Sequence, residues 1–201
     1  MDKWLEISRL QFEAFSKIEH YDLQQKYVLL LAIRVTELCS DAYELCKRDR
    51  VASVPIIMRS ALESYIDLMC TKLSFTHVEN MNKSFEIFKV KMAGKTVKDD
   101  SLKIWEKFKL VGEHNLYSGF YVHLCRSAHG NLEALIRDHT VGDAISLGHR
   151  PDLSMVSVYR NQIIGIAVTA LVEALEFVKF DGTQLKQLKV IQEQSGVGEY
   201  A

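Results

Sequence analysis

Residues that break or bend helices are scarce in this chain. Its 201 residues include only two prolines and ten glycines. An all-β protein needs many tight turns, which these two residue types usually supply, so the scarcity argues against that fold class. The composition is instead typical of long helices that are joined by short links.

The chain also lacks a strong net charge and a long apolar run. Its formal net charge of −1 provides no overall attraction to nucleic acid or to an anionic membrane. The longest apolar run, residues 163–172, is about half as long as the roughly 20 residues that cross a bilayer. The segment after Met1 is amphipathic and does not resemble a signal peptide. We therefore expect a cytoplasmic protein with no membrane partner.

Motifs for metals, cofactors and common hydrolases are missing too. The four cysteines, Cys39, Cys46, Cys70 and Cys125, contain no C-x-x-C pair. The sequence has no H-E-x-x-H, no glycine-rich phosphate loop and no G-x-S-x-G. We accordingly predict no bound metal and no cofactor.

Hydrophobic periodicity predicts an all-α fold. Apolar residues recur at intervals of three and four, the period of an amphipathic helix. The segments that show this pattern are 2–19, 22–47, 53–73, 75–93, 102–111, 115–136 and 152–180. We predict one domain over residues 1–182, an antiparallel bundle of about six to seven helices, followed by a short helix and a frayed tail over residues 183–201.

Several residues mark the predicted helix ends. Asp22 opens the second helix, with Gln25 in the capping-box position three residues later. Asn115 and Asp152 are candidate N-caps of the sixth and the last long helix. Gly182 lies just beyond that last helix, where a C-terminal glycine cap is expected.

The sixth predicted helix is the richest in side chains that can carry chemistry. At 100° per residue, Tyr121 and Cys125 fall on its core side and His123 on the opposite, solvent side. His129 falls at the boundary, next to a polar strip that includes Arg126. A histidine can transfer a proton and an arginine can hold developing negative charge, as metal-independent phosphodiester cleavage requires. Alternatively, His129 is a boundary residue that hydrogen-bonds a neighbouring helix.

The third predicted helix contributes a charged pair among apolar residues. Arg59 and Glu63 are spaced i,i+4 and are expected to be half-buried, either as a structural ion pair or as part of a site. We predict that this helix and the sixth helix bring five side chains together. These are Arg59, Glu63, Tyr121, Arg126 and His129.

Residues 83–109 form the one basic segment of the chain. They contain eight lysines against four acidic residues, Glu86, Asp99, Asp100 and Glu106. One interpretation is a solvated helix face with a loop at residues 94–100. The other is an arm that contacts phosphate groups.

Two motifs together suggest a family resemblance. Arg59-Ser-Ala-Leu-Glu63 and, later, Tyr121-x3-Cys125-x3-His129 resemble the R-x3-E and Y-x3-[S/C]-x3-H motifs of an uncharacterised family of small bacterial helical proteins. That family is similar in turn to the HEPN superfamily, helical bundles that are often dimeric ribonucleases of toxin–antitoxin and phage-defence systems. The resemblance makes His129 the histidine of the superfamily's R-x4-6-H motif, although residues 122–124 supply no arginine.

Two functions remain open at this point. The resemblance implies a HEPN-like defence factor that acts on RNA or nucleotides, as a homodimer and with an operon-encoded partner protein. The alternative is a non-enzymatic helical module that binds a protein or a small ligand. In that case Arg59, Glu63 and His129 brace the bundle.

Overall fold

The computed structural model describes residues 2–96, 98, 102–128, 136, 140–141, 144–145 and 153–195. In chain order, its helices are α1 (Lys3–Phe15), α2 (Leu23–Lys47), α3 (Val54–Leu73), α4 (Thr76–Met92), α5 (Ile104–Leu110), α6 (Val122–Ala128), α7 (Leu153–Phe177) and α8 (Thr183–Gln194). A 3₁₀ turn, Val51–Ser53, precedes α3. A helical turn, His114–Leu116, and a π-helical segment, Tyr117–Tyr121, lead into α6. The predicted all-α, single-domain bundle is confirmed.

The residues between α6 and α7 include two very short strands. Thr140–Val141 pairs antiparallel with Ala144–Ile145. This pairing lies between the sixth and the last long predicted helix, where the sequence has no helical pattern. It leaves the all-α character of the bundle unchanged.

The core is built around α2, α3 and α7. α2 packs along both of the others, and α1 and α8 pack against each other and against α7. α8 belongs to this core because Leu188 and Ile191 are buried. By length and composition alone, Met155–Phe177 could cross a membrane, and 56% of its most apolar window is buried inside the bundle. A central core helix has the same properties.

The start of α2 and the end of α4 agree with the sequence-based prediction. The Gln25 amide donates to Asp22 Oδ1 at 2.8 Å, and the Asp22 amide donates to Gln25 Oε1 at 2.9 Å, which completes the capping box. α4 ends at Met92, and Gly94 follows with a φ of 73°, a conformation that glycine adopts without strain.

The predicted ends of two other helices are wrong. The helical turn before α6 begins at His114 with Glu113 as its N-cap, so the predicted cap Asn115 lies inside the turn. α7 ends at Phe177, and the left-handed residue after it is Lys179, not Gly182. Gly182 is instead the N-cap of α8. A Cβ there would lie 2.4 Å from the Phe180 ring, so this glycine permits close approach of an aromatic side chain. The predicted cap Asp152 lies outside the described residues.

Candidate functional site

Three of the five predicted site residues meet between α3 and the segment that leads into α6. Glu63 Oε1 accepts a hydrogen bond from Arg59 Nε at 3.0 Å and another from the Tyr121 hydroxyl at 2.6 Å. Arg59 and Glu63 are about one-third exposed, at 31% and 33%, whereas Tyr121 is buried. The predicted half-buried ion pair is therefore present. We call these three residues the Glu63 seam.

The two donors of the Glu63 seam, Tyr121 and Arg59, have raised pKa values. Burial and the hydrogen bond to the Glu63 carboxylate raise the pKa of Tyr121 well above its usual range. The Glu63 carboxylate also raises the pKa of Arg59 through its hydrogen bond. Near neutral pH, Tyr121 thus stays a hydrogen-bond donor and Arg59 stays a cation.

Stacked aromatic rings hold Tyr121 in place. The rings of Tyr117 and Tyr121 stack with their centroids 5.5 Å apart, and Phe108 of α5 lies 5.3 Å and 5.2 Å from the two rings. Both tyrosines belong to the π-helical segment, which inserts an extra residue into the turn and is often found at functional sites. A constant 100° per residue does not describe this segment, so the simple helical projection fails there.

The remaining predicted residues do not join the seam within the described structure. Arg126 is exposed on α6, and His123 is exposed as predicted. Cys125 was expected on the core side and is half-buried against the core. His129 lies outside the described residues, so its predicted position stays a prediction.

A second polar cluster on α3 was missed by the sequence analysis. Asp67 Oδ1 accepts a hydrogen bond from His77 Nε2 of α4 at 2.9 Å and from Lys107 Nζ of α5 at 2.7 Å. The side chain of His77 is 4% exposed, and those of Asp67 and Lys107 are 20% and 19% exposed. This cluster, the Asp67 anchor, fastens two helices to α3 through one carboxylate.

The charge on Asp67 is stabilised by its partners. Burial would raise the pKa of Asp67, but the hydrogen bond from His77 and the attraction of Lys107 outweigh it and hold the pKa below its usual value. The other ring nitrogen of His77, Nδ1, is buried and makes no hydrogen bond among the described residues. The Asp67 anchor is therefore a charged, largely buried link.

One sequence signal could have indicated the Asp67 anchor. Asp67 stands between Ile66 and Leu68 in the apolar part of α3, both of which are buried. A carboxylate in such a position needs a donor from another element. The identity of the donors could not be read from spacing, since His77 and Lys107 are 10 and 40 residues away.

The exposed side chains of α4, of α5 and of the residues that join them are the third notable feature. They combine large apolar side chains with lysines, and we call them the α4–α5 surface. Its exposed apolar members are Phe85, Phe88, Met92, Leu102, Trp105 and Leu110. Its exposed lysines are Lys83, Lys89, Lys91, Lys95, Lys98, Lys103 and Lys109. Large apolar side chains that are exposed repeatedly along one stretch of the chain are a feature of surfaces that bind a partner.

A small cleft lies between α6 and α7. Its volume is about 260 Å³, and its lining includes Phe120, His123, Ser127, Tyr159 and Gln162. None of the four predicted site residues that the structure describes, Arg59, Glu63, Tyr121 and Arg126, lines it. Among the described residues, no group of three His, Cys, Asp or Glu side chains could hold a metal ion there or elsewhere.

Comparison with known proteins gives no match. No family model, no curated protein and no solved structure is similar to this chain. The function must therefore be inferred from the Glu63 seam, the Asp67 anchor and the α4–α5 surface.

Proposed function

We propose that this protein is a non-enzymatic helical binding module, in which Arg59 and Glu63 act as structural bracing together with Tyr121. The observation that carries the proposal is the pair of hydrogen bonds at Glu63 Oε1: the one from Arg59 lies within α3, and the one from Tyr121 joins α3 to the end of the π-helical segment. A carboxylate with two donors and a buried tyrosine is typical of a structural network.

The electrostatics of the Glu63 seam support this role. General acid–base catalysis needs a group that gains and loses a proton near the working pH. Tyr121 and Arg59 both have raised pKa values and keep their protons at neutral pH. Tyr121 and Arg59 therefore act as permanent hydrogen-bond donors to Glu63. This role suits holding two segments of the chain together better than it suits proton transfer.

The α4–α5 surface supports the binding part of the proposal. Phe85 and Phe88 are 57% and 55% exposed, and Met92 is 73% exposed. Burying such side chains against a partner gives a favourable free energy, roughly 25 cal/mol for each Å² of apolar surface removed from water. The α4–α5 surface thus exposes apolar area that a partner can cover, whereas Tyr121 of the Glu63 seam is already buried.

A second candidate function is RNA cleavage by a HEPN-like site that includes His129. The observation that favours it is the row of exposed lysines on α4, α5 and the residues between them, which fits an anionic substrate. In this alternative, Arg59 would stabilise negative charge and Glu63 would hold its guanidinium in position. Homodimer formation and an operon-encoded partner remain part of the same proposal.

Purified protein incubated with single-stranded RNA separates the two functions. We expect the wild type and His129→Ala to leave the RNA intact, and cells that overexpress either protein to grow equally well. We also expect Glu63→Gln to lower the melting temperature. RNA cleavage that is lost in His129→Ala and Arg59→Ala, with the melting temperature unchanged, would contradict the non-enzymatic proposal and support the HEPN-like function.

A further inference from the structure

We infer that the α4–α5 surface binds single-stranded nucleic acid, with bases stacked on its exposed aromatic rings and phosphates held by its lysines. The inference rests on the proposed binding function and names the chemical class of the partner. Single-stranded nucleic acid is recognised in general by a basic surface with aromatic platforms, because every base has a π-face and every nucleotide carries a phosphate.

The outward orientation of the aromatic rings is fixed by the packing of α4. Phe85, Phe88 and Met92 are spaced by three and four residues and so share one side of the helix. Ile87 lies roughly opposite them and is buried, which turns its side towards the bundle. The exposed stripe therefore faces away from the core.

The base of the surface is held by the Asp67 anchor. Asp67 binds His77 in the first turn of α4 and Lys107 in the middle of α5. Phe108, next to Lys107, is fully buried. Both helices that carry the surface are thus attached to α3, and α5 adds an exposed ring, Trp105, with Lys109 four residues later.

Charge favours an anionic partner over a second copy of this chain. Residues 83–109 carry eight lysines and four acidic residues, an excess of four positive charges. A two-fold dimer through this surface would place the same basic patch against itself, and that contact is repulsive. A polyanion would gain from the same charges.

The position of Lys89 favours nucleic acid over a membrane. Its Nζ lies 4.4 Å from the centroid of the Phe85 ring and 2.7 Å from Glu86 Oε1. Inserting the ring into the hydrocarbon of a bilayer would first require the Lys89 ammonium to leave the ring, because a charged group stays at the level of the headgroups. At a nucleic acid, the ring can stack on a base while the ammonium stays hydrated and close to a phosphate.

Fluorescence anisotropy with labelled oligouridylate and oligothymidylate of about twelve nucleotides tests the inference at low salt. We expect the full-length protein to bind, and the double variant Phe85→Ala/Phe88→Ala to bind about tenfold more weakly or worse, since it removes two stacking platforms. The matched control is Phe12→Ala on α1, whose side chain is 75% exposed and lies outside the surface. It should bind like the wild type.

The lysines are tested separately through salt dependence. Lys95→Gln/Lys109→Gln should weaken binding and reduce the slope of log affinity against log salt by about 1.4, because two phosphate contacts are lost and each contributes about 0.7 on a single strand. Lys26→Gln/Lys186→Gln changes two exposed lysines elsewhere and should leave the slope unchanged. All four positions are exposed, so the circular dichroism spectrum and melting temperature of these variants should match the wild type.

Three results would overturn the inference: no binding of either oligonucleotide, equal binding by the surface variants and their controls, or binding to phosphatidylserine vesicles but not to oligonucleotides. Recovering the labelled RNA after each titration keeps the two proposals apart. Cut RNA would contradict the non-enzymatic function, whereas intact, unbound RNA would contradict only the nucleic-acid partner.

Discussion

The Glu63 seam and the Asp67 anchor have the same chemistry at different depths. Both place a carboxylate of α3 between two donors, and the two residues are one helical turn apart. Glu63 receives one donor from its own helix and is 33% exposed, whereas Asp67 receives both donors from other helices and is 20% exposed. We therefore expect the number of elements joined, rather than the number of hydrogen bonds, to determine how much each carboxylate contributes to stability.

The largest loss of stability is expected from a substitution of Asp67. Asp67→Asn removes the charge that compensates Lys107, and we expect the free energy of unfolding to fall by about 3 kcal/mol, the range for breaking a largely buried ion pair. Urea denaturation measures the change. The control is Asp41→Asn, an exposed aspartate of α2, which should have little effect. Equal effects at the two positions would contradict a special role for the anchor.

Acid should reduce the contribution of Asp67 to the free energy of unfolding. The folded-state pKa of Asp67 is lowered, so its contribution to stability is complete above the unfolded value of about 3.9 and is lost as the pH falls through the folded value. The difference in unfolding free energy between the wild type and Asp67→Asn should therefore be constant near neutral pH and shrink below about pH 4. Denaturation curves at a series of pH values measure it. A difference that grows towards acid pH would refute this account.

A smaller effect is expected from Tyr121→Phe. This change keeps the stacked ring and removes the hydroxyl that donates to Glu63, so we expect a loss of about 1.5 kcal/mol in unfolding free energy. Tyr117→Phe is the matched control. The ring of Tyr117 stacks on the ring of Tyr121, and its hydroxyl has no hydrogen bond among the described residues. If the two changes cost the same, the hydroxyl of Tyr121 has no special role.

The smallest effect is expected from Arg59→Gln. An i,i+4 ion pair that is one-third exposed contributes only about 0.5 kcal/mol, since water and salt screen it. Arg9→Gln on α1, which breaks the exposed i,i+4 pair of Arg9 with Glu13, gives the comparison. A loss at Arg59 as large as that at Asp67 would show that exposure does not separate the two carboxylates.

Local sequence signals predicted most of the fold. Apolar spacing located the helices, and the Asp22 capping box placed the start of α2 correctly. Gly182 was misjudged because a glycine after a helix usually signals a left-handed cap, whereas here it makes room for Phe180. The short strands at residues 140–145 were also not foreseen, since two-residue strands have no measurable alternation.

The candidate site was only partly predictable. The i,i+4 spacing revealed the Arg59–Glu63 pair, and the core-facing position of Tyr121 was correct. The π-helical segment has no sequence signature, so the angular position of Arg126 could not be computed from a regular helix. The Asp67 anchor depends on contacts between segments that are distant along the chain, and such contacts cannot be predicted from the spacing of residues in one sequence.

A double-mutant cycle of Glu63→Gln and Tyr121→Phe measures whether the Glu63 seam is structural bracing. The free energy of unfolding of the wild type, both single variants and the double variant gives the coupling between the two side chains. We predict a coupling of about 1 kcal/mol, with the binding of oligonucleotides unchanged in all four proteins. Coupling within error of zero, together with loss of a measured activity in both single variants, would contradict the bracing role.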